Sequence, residues 1–150
     1  MKALKAQNIG ELIDFAGLTF QSNLLIGLAT HLTDFVCVNA SVGFIRYLEK
    51  QGEICDKQEI AYAGDLRGST DRILKAIGYA IAYTGHIPAF AGKIPTPALL
   101  YYSSQRLVPA IMVTASHLPG YINGIHYYCA SDINLQIDIN RFRKLHVEVR

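Results

Sequence analysis

The spacing of hydrophobic positions changes along the chain and predicts which segments form helices and which form strands. Residues 8–15 place apolar side chains on one side of a short amphipathic helix, which Gly17 ends. Residues 18–28 lack that spacing and are predicted to be extended, with loops. A longer helix is predicted between Thr33 and Gly52, because Thr33 suits the N-cap and apolar side chains recur after it at helical spacing.

The middle of the chain alternates between short apolar runs and amphipathic segments. We predict strands at residues 59–63, 86–91, 110–113 and 125–129, and further helices at residues 70–84 and from Thr96 onward. This alternation favours a mostly parallel, mixed sheet with helices on both faces, which is a three-layer α/β/α sandwich. The predicted fold class is therefore α/β, in a single domain.

The pattern weakens in residues 133–150. Leu145, Val147 and Val149 alternate with polar residues, which predicts either one further strand or an incomplete tail that lacks its partner. If they are exposed, these side chains and the rim near residues 24–28 favour self-association or dependence on missing domains. The alternative is that both segments fold back over the sheet and complete it.

Composition narrows the class of protein. The chain has 150 residues, of which 51% are hydrophobic and 17% charged, as expected for one globular domain with a well-filled core. The formal charge of +2 with no basic cluster argues against nucleic-acid binding, and the apolar segments are too short to cross a membrane. The cysteines, Cys37, Cys55 and Cys129, have no paired metal spacing, and the start of the chain has no secretory signal. We therefore expect reduced thiols in a cytoplasmic protein.

The run PAIMVTASHLPGYINGI, residues 109–125, carries the most specific chemistry in the sequence. A predicted strand ends there in small and polar residues and delivers Ser116 into a loop, as open α/β sheets do with reactive groups. His117 and His126 lie within ten positions of Ser116, which suits an activated hydroxyl. His117 is a poor direct base, since neighbours in an extended segment point to opposite sides. Taken alone, Ser116 also fits a turn serine that bonds nearby backbone.

This run resembles the active-serine loop of the α-D-phosphohexomutases (phosphomannomutase and phosphoglucomutase), which is written TASHNP or GSHxP followed by NGxK. Residues 64–70, GDLRGST, are similar to the family's GxDxRxSS-type turn, and residues 93–99, KIPTPAL, to its G-x-x-P-T/S-P-A-L segment. Three motifs in the right order, across residues 10–132, are more specific than any one of them. By this resemblance, residues 1–150 are similar to the first, active-serine domain of a phosphohexomutase.

The resemblance implies an activity and a set of site residues. The family transfers a phosphoryl group within hexose phosphates through a phosphoserine and a hexose bisphosphate. Ser116 is therefore the expected phosphoryl carrier, and His117 a phosphate-loop or proton-transfer residue. Arg67, Asn123 and His126 are the expected phosphate- or substrate-loop residues. The family also uses Mg²⁺, to which the phosphate on Ser116 would contribute one ligand in a complete enzyme.

A geometric expectation follows from these assignments. Ser116 should lie exposed at the carboxyl end of a central strand, with His117 and Arg67 nearby and with Asp65 holding Arg67 beneath the serine loop. The plain alternative for the GDLRGST segment is a strand-to-helix turn with a solvated arginine. Residues 93–99 are expected to form a proline-fixed loop and helix start that supports the site.

The sequence departs from the family pattern at several points. Gln21, Leu24 and Ile26 stand where the family's FGTSGxRG segment has glycines and an arginine, and His126 stands at the lysine of NGxK. No DGDGDR-type aspartate loop for magnesium occurs, and the sugar-specificity and distal phosphate-binding domains are not recognised. We therefore expect negligible mutase turnover and no tight magnesium site from the chain alone. A catalytically degenerate fragment or a partner-binding domain of the same fold remains open. A small serine hydrolase is disfavoured, because Ser116 lacks the G-x-S-x-G elbow.

Overall fold

The computed structural model of the chain describes residues 5–132 and 134–150. The helices are α1 (Ile9–Ala16), α2 (Asp34–Lys50), α3 (Thr70–Tyr83), α4 (Thr96–Arg106) and α5 (Ile139–Arg143), with a short 3-10 helix at Ala29–His31. The strands are β1 (Thr19–Gln21), β2 (Leu24–Leu28), β3 (Glu59–Gly64), β4 (Ile87–Lys93), β5 (Ala110–Val113) and β6 (Ile122–Tyr128). The predicted helices and strands are confirmed with small shifts at their ends, and α5 is an element that the sequence analysis did not predict. None of the helices in the described part of the chain has the length and apolar character needed to span a bilayer.

The strands form one mixed sheet in the order β1-β2-β6-β5-β3-β4. β3 is parallel to β4 and to β5, whereas β6 is antiparallel to β5 and β2, and β1 is antiparallel to β2. β6 turns back because residues 114–121 are too few for the crossover helix that a parallel connection needs. The three-layer α/β/α fold in a single domain is confirmed. Its parallel part is confined to β3, β4 and β5 and is smaller than the sequence predicts.

Helices cover the sheet on both faces, and the side chains of the central strands divide between two cores. The larger core joins α1, α2, α3 and α5 to one face of the sheet. The sheet residues buried in it include Ile60, Ile111, Val113, Ile125 and Tyr127. The smaller core lies under α4, where the sheet contributes Ala61, Ala63, Ala110 and Met112. Three of these four are alanines, which let α4 approach the sheet closely.

α2 is the central helix of the larger core. Thr33 caps its amino terminus as predicted, because the Thr33 hydroxyl accepts a hydrogen bond from the Val36 N–H at 3.3 Å. Ser41 on α2 and Tyr127 on β6 are fully buried and their hydroxyls hydrogen-bond at 3.1 Å. This bond satisfies two polar groups that would otherwise be costly inside the core. It also fixes α2 over the strand that follows the serine loop.

The end of the chain packs against α1 and α2 and does not extend the sheet. Leu145 and Val147 are 9% and 6% exposed, and the Asn39 side chain bonds both the N–H and the carbonyl of Val149, at 3.0 and 2.9 Å. The expectation that these three residues form an exposed apolar edge is therefore wrong. Backbone hydrogen bonds to residues 7–9 carry this segment into the core. The segment folds back as the alternative predicts, but it packs on helices and does not complete the sheet, so that part of the alternative is wrong.

Candidate active site

The carboxyl ends of three parallel strands form the edge at which the candidate residues collect. Gly64, at the end of β3, pairs with Lys93 of β4 on one side and with Val113 of β5 on the other. The loops that follow these strands surround a cavity of about 500 Å³, which we call the serine cleft. It is lined by Gly64, Asp65, Leu66, Lys93, Ile94, Pro95, Thr96, Pro97, Met112, Thr114, Ser116 and His117.

Ser116 lies at the rim of the serine cleft, just after the end of β5, and is exposed, as the sequence predicts. Its backbone φ is +54°, in the left-handed region that few non-glycine residues occupy. The Ser116 N–H donates to Thr114 Oγ1 at 3.0 Å, and the Ser116 carbonyl accepts from Arg67 Nη2 at 2.7 Å. Within the described part of the chain, Ser116 Oγ makes no hydrogen bond. The backbone of Ser116 is thus fixed on both sides while its hydroxyl stays free, which suits a nucleophile.

Arg67 clamps the serine loop from below. Its Nη1 donates to the carbonyls of Pro119 and Ile122 at 2.7 and 3.2 Å, and its Nη2 donates to the carbonyl of Ser116. Its Nε donates to Asp65 Oδ2 at 3.1 Å. The side chain is 12% exposed, so the alternative of a solvated arginine is wrong. Four of the five N–H donors of Arg67 bond groups within the protein, which makes it a positioning residue for Ser116.

Asp65 anchors this clamp. Its Oδ1 accepts hydrogen bonds from the Thr70 hydroxyl at 2.7 Å and from the Arg67 N–H at 3.1 Å. Partial burial raises the pKa of Asp65, but the hydrogen bonds from Thr70, Arg67 and Thr114 outweigh burial and hold that pKa below its ordinary value. Asp65 therefore remains a carboxylate at neutral pH and keeps Arg67 in place beneath the loop.

Asn123 ties the start of β6 to the first turn of α3. It is fully buried, and its Nδ2 donates to Ser69 Oγ at 2.8 Å and to Thr70 Oγ1 at 3.2 Å. Its Oδ1 accepts from the Gly124 N–H at 2.9 Å. Close packing at this junction also requires Gly64, since a Cβ on Gly64 would collide with the Thr70 side chain. Asn123 lies under the loops and is not among the described residues that line the serine cleft.

The two histidines near Ser116 occupy different environments. His117 is exposed and lines the serine cleft, whereas His126 lies within β6, opposite Leu24 and Met112. The Nδ1 of His126 is buried and has no hydrogen-bond partner among the described residues, and burial lowers the pKa of His126. His126 is therefore neutral at about pH 7. In the described part of the chain no hydrogen bond joins either imidazole to Ser116, which gives no support to a serine hydrolase.

We expect His126 to make the stability of the domain pH-dependent. Its folded-state pKa lies below the unfolded value of about 6.5. As the pH falls through that unfolded value, the unfolded chain takes up a proton that the folded protein resists, so the free energy of unfolding decreases. His126→Gln should flatten this decrease between about pH 7 and pH 5 in urea denaturation series. The exposed His146, changed to Gln, is the control. If the free energy of unfolding of His126→Gln falls with pH as steeply as that of the wild type, His126 is not the source of this pH dependence.

Comparison with known proteins identifies the family. Residues 20–141 match the family described as phosphoglucomutase/phosphomannomutase, alpha/beta/alpha domain I. The chain belongs to this family. The match is to its first domain, as the sequence motifs predict.

Relatives of this phosphomutase-family chain agree with that match. The chain is 33% identical over 121 residues to a phosphomannomutase of Salmonella muenchen, covering 81% of this chain and 25% of that protein. It is also 33% identical over 95 residues to a phosphoglucosamine mutase of Vibrio campbellii, covering 63% of this chain and 20% of that protein. The chain thus spans about a quarter of the length of the curated relatives it matches. A crystal structure assigned as a phosphomannomutase from Thermus thermophilus has the same fold, with a TM-score of 0.70 at 20% identity, over 89% of this chain and 31% of that one.

The magnesium that the phosphomutase family implies can be tested against the donors present. Asp65 is the carboxylate that lines the serine cleft, and its oxygens already accept hydrogen bonds from Thr70 and Arg67. Among the described residues no group of three or more His, Cys, Asp or Glu side chains is placed to hold a metal ion. Magnesium prefers octahedral oxygen ligands that include carboxylates. The described residues therefore do not fit a complete magnesium site.

Two residues of the serine cleft were not predicted as site residues. The Thr114 hydroxyl accepts a hydrogen bond from the Ser116 N–H. The sequence indicates this bond, because a hydroxyl two positions before a residue often bonds that residue's backbone. Lys93 was assigned to a supporting segment, yet it lines the cleft with Ser116 and His117. Its signal was a cation two positions after the end of a predicted strand, residues 86–91.

Proposed function

We propose that this chain is the active-serine domain of a hexose-phosphate mutase and that Ser116 Oγ carries the phosphoryl group. The observation that supports this proposal is the geometry of Ser116. Arg67 and Thr114 bond its backbone on both sides in a left-handed conformation, while its hydroxyl lies free at the rim of the cleft. A turn serine with a purely structural role would use its own hydroxyl to bond the backbone.

The proposed chemistry is a phosphoryl exchange between serine and sugar. Ser116 Oγ attacks a phosphorus atom of a hexose bisphosphate, so that an Oγ–P bond forms and the P–O bond to the sugar breaks. The proton of the serine hydroxyl leaves, and the sugar oxygen takes up a proton. The reverse step passes the phosphoryl group to a hexose monophosphate. We assign His117, which lines the cleft, to proton transfer or to contact with the phosphate.

The remaining predicted site residues take supporting parts in this proposal. Through the bonds described above, Arg67 holds the serine loop and Asn123 holds the start of β6 against α3. His126 is neutral and partly buried in β6, so it contributes little charge to a phosphate. Since the described residues do not fit a complete magnesium site, no step proposed for this chain depends on a metal that the chain itself holds.

We propose hexose phosphates and bisphosphates as substrates because the named relatives are phosphomannomutases and a phosphoglucosamine mutase. The chain spans about a quarter of those proteins, so we propose that it accepts a phosphoryl group but does not turn over hexose phosphates alone. The alternative is a degenerate or partner-binding domain. It is based on Ile26 and His126, which stand where the family has an arginine and a lysine. The hydrogen bonds that Arg67 and Thr114 make to the backbone of Ser116 do not favour this alternative.

The test is the intact mass of the chain after incubation with glucose 1,6-bisphosphate. We expect the mass of one phosphoryl group to appear and peptide mapping to assign it to Ser116. A coupled assay for conversion of mannose 1-phosphate to mannose 6-phosphate should show negligible turnover in the same sample. If no phosphoryl group arrives at any bisphosphate concentration, the carrier role is wrong and the partner-binding alternative takes its place.

A further inference from the structure

Lys93 lines the serine cleft together with Ser116. It is the last residue of β4, and Gly64 lies beside it in the sheet, between Lys93 and the strand that leads to Ser116. Its Nζ contacts Asp71 Oδ1 at 2.6 Å, and its side chain is 30% exposed. Asp71 does not line the cleft among the described residues. The Lys93 ammonium is therefore paired with a carboxylate that does not line the cleft, while the lysine itself does.

The charge balance of the cleft makes Lys93 important. A phosphoryl group on a serine carries nearly two negative charges at neutral pH, and its transfer needs cations to neutralise the oxygens. Arg67 uses four of its five N–H donors to bond Asp65 and the carbonyls of Ser116, Pro119 and Ile122. Among the described residues that line the cleft, Lys93 is the one lysine or arginine. Lys93 is thus the lysine or arginine charge that the described lining of this cleft can offer to an anion.

A second feature adds positive potential to the same wall. The amino terminus of α4 begins at Thr96, which lines the cleft together with Pro95 and Pro97. Among the described residues no side chain caps this terminus, and its first turn contains no acidic residue. The positive end of the helix dipole therefore adjoins the cleft, where Thr96 supplies the backbone N–H because Pro95 and Pro97 have none.

We propose that Lys93 binds the phosphoryl group carried by Ser116, with the amino terminus of α4 adding to the positive wall. This inference rests on the proposed function, because it assigns Lys93 as the cation for the phosphoryl group on Ser116. The ammonium group leaves Asp71 for the phosphoryl oxygens and returns when the group departs. The exchange is inexpensive because the Asp71 side chain is 75% exposed, so water replaces the lost contact. The flexible stem of lysine permits the movement.

The first experiment measures anion binding without any phosphoryl transfer. Inorganic phosphate is titrated into the wild-type chain and into Lys93→Met, Lys93→Arg and Lys75→Met, with amide chemical shifts followed by NMR. Lys75 is an exposed lysine one turn after Asp71 and does not line the cleft, so it is the matched control. Lys93→Met should weaken phosphate binding about tenfold or more, Lys93→Arg should retain most of it, and Lys75→Met should match the wild type. Circular dichroism melts verify that each variant is folded.

The second experiment measures the rate at which each variant gains phosphoryl mass from glucose 1,6-bisphosphate. A slower gain in Lys93→Met, rescued by Lys93→Arg, supports the proposal. Phosphate binding that is absent in the wild type, or equally strong in Lys93→Met, overturns it whether or not Ser116 is phosphorylated. If Lys93→Met loses phosphate binding while no variant gains mass, the anion site at Lys93 stands and the carrier role of Ser116 fails.

Discussion

Replacing Ser116 by alanine is expected to abolish phosphoryl acquisition from glucose 1,6-bisphosphate while leaving the fold intact. The variant lacks the Oγ that would form the bond to phosphorus, so the loss should be complete. Ser116 is exposed, and its bonds to Thr114 and Arg67 use backbone atoms that alanine retains. The free energy of unfolding should therefore change by no more than about 0.5 kcal/mol. Intact mass and urea denaturation measure the two quantities.

Ser104→Ala is the matched control for this variant. Ser104 is an exposed serine on α4, and its hydroxyl bonds only the carbonyl of Tyr101, at 2.9 Å, among the described residues. It should gain phosphoryl mass at the rate of the wild type. If Ser116→Ala still gains that mass, another nucleophile is the acceptor and the assignment of Ser116 is wrong. If both variants lose it, the effect is not specific to the cleft.

The positions of Ser116 and Arg67 were predictable because they follow from the spacing of side chains within each strand and from the direction of the strands. The apolar run Ala110–Val113 is a strand, and Ser116 follows it, so the serine had to emerge at one edge of the sheet. β3 is parallel to β5, and parallel strands end at the same edge, which brings Arg67 to Ser116. Strand order and side-chain spacing were enough for this part of the prediction.

Other features depend on contacts between distant parts of the chain, which sequence patterns do not contain. The left-handed backbone of Ser116 occurs together with a hydrogen bond from Arg67, 49 positions away, to its carbonyl, and nothing in the residues around Ser116 indicates either feature. The alternation at Leu145 and Val147 predicts a strand of the sheet. These side chains are instead buried in the core, where backbone hydrogen bonds join this segment to the start of α1. Likewise, the Nδ1 of His126 is buried by the strands on both sides of it and has no hydrogen-bond partner in the part of the chain that the structure describes. Tertiary context overrides local pattern at these positions.

Arg67→Ala is expected to have the largest effect on stability among the site variants. The substitution removes the ion pair to Asp65 and the bonds to the carbonyls of Ser116, Pro119 and Ile122. The partly buried carboxylate of Asp65 then lacks its cation, and the serine loop lacks the hydrogen bonds that hold its backbone. We expect a loss of about 2–4 kcal/mol in the free energy of unfolding, seen as a lower urea midpoint at an unchanged m value.

The same variant should also lose phosphoryl acquisition at conditions where it remains folded. Without Arg67 the Ser116 backbone is free to leave its left-handed conformation, and misplacement of a nucleophile by about 1 Å costs on the order of a hundredfold in rate. Arg67→Lys keeps the charge but lacks the planar fork that reaches several carbonyls at once, so it should recover only part of either property. Arg106→Ala, which breaks an exposed pair between α4 and Glu59 of β3, should resemble the wild type in both assays. Should Arg67→Ala fold as stably as the wild type and gain phosphoryl mass at the same rate, the clamp would have no part in positioning Ser116.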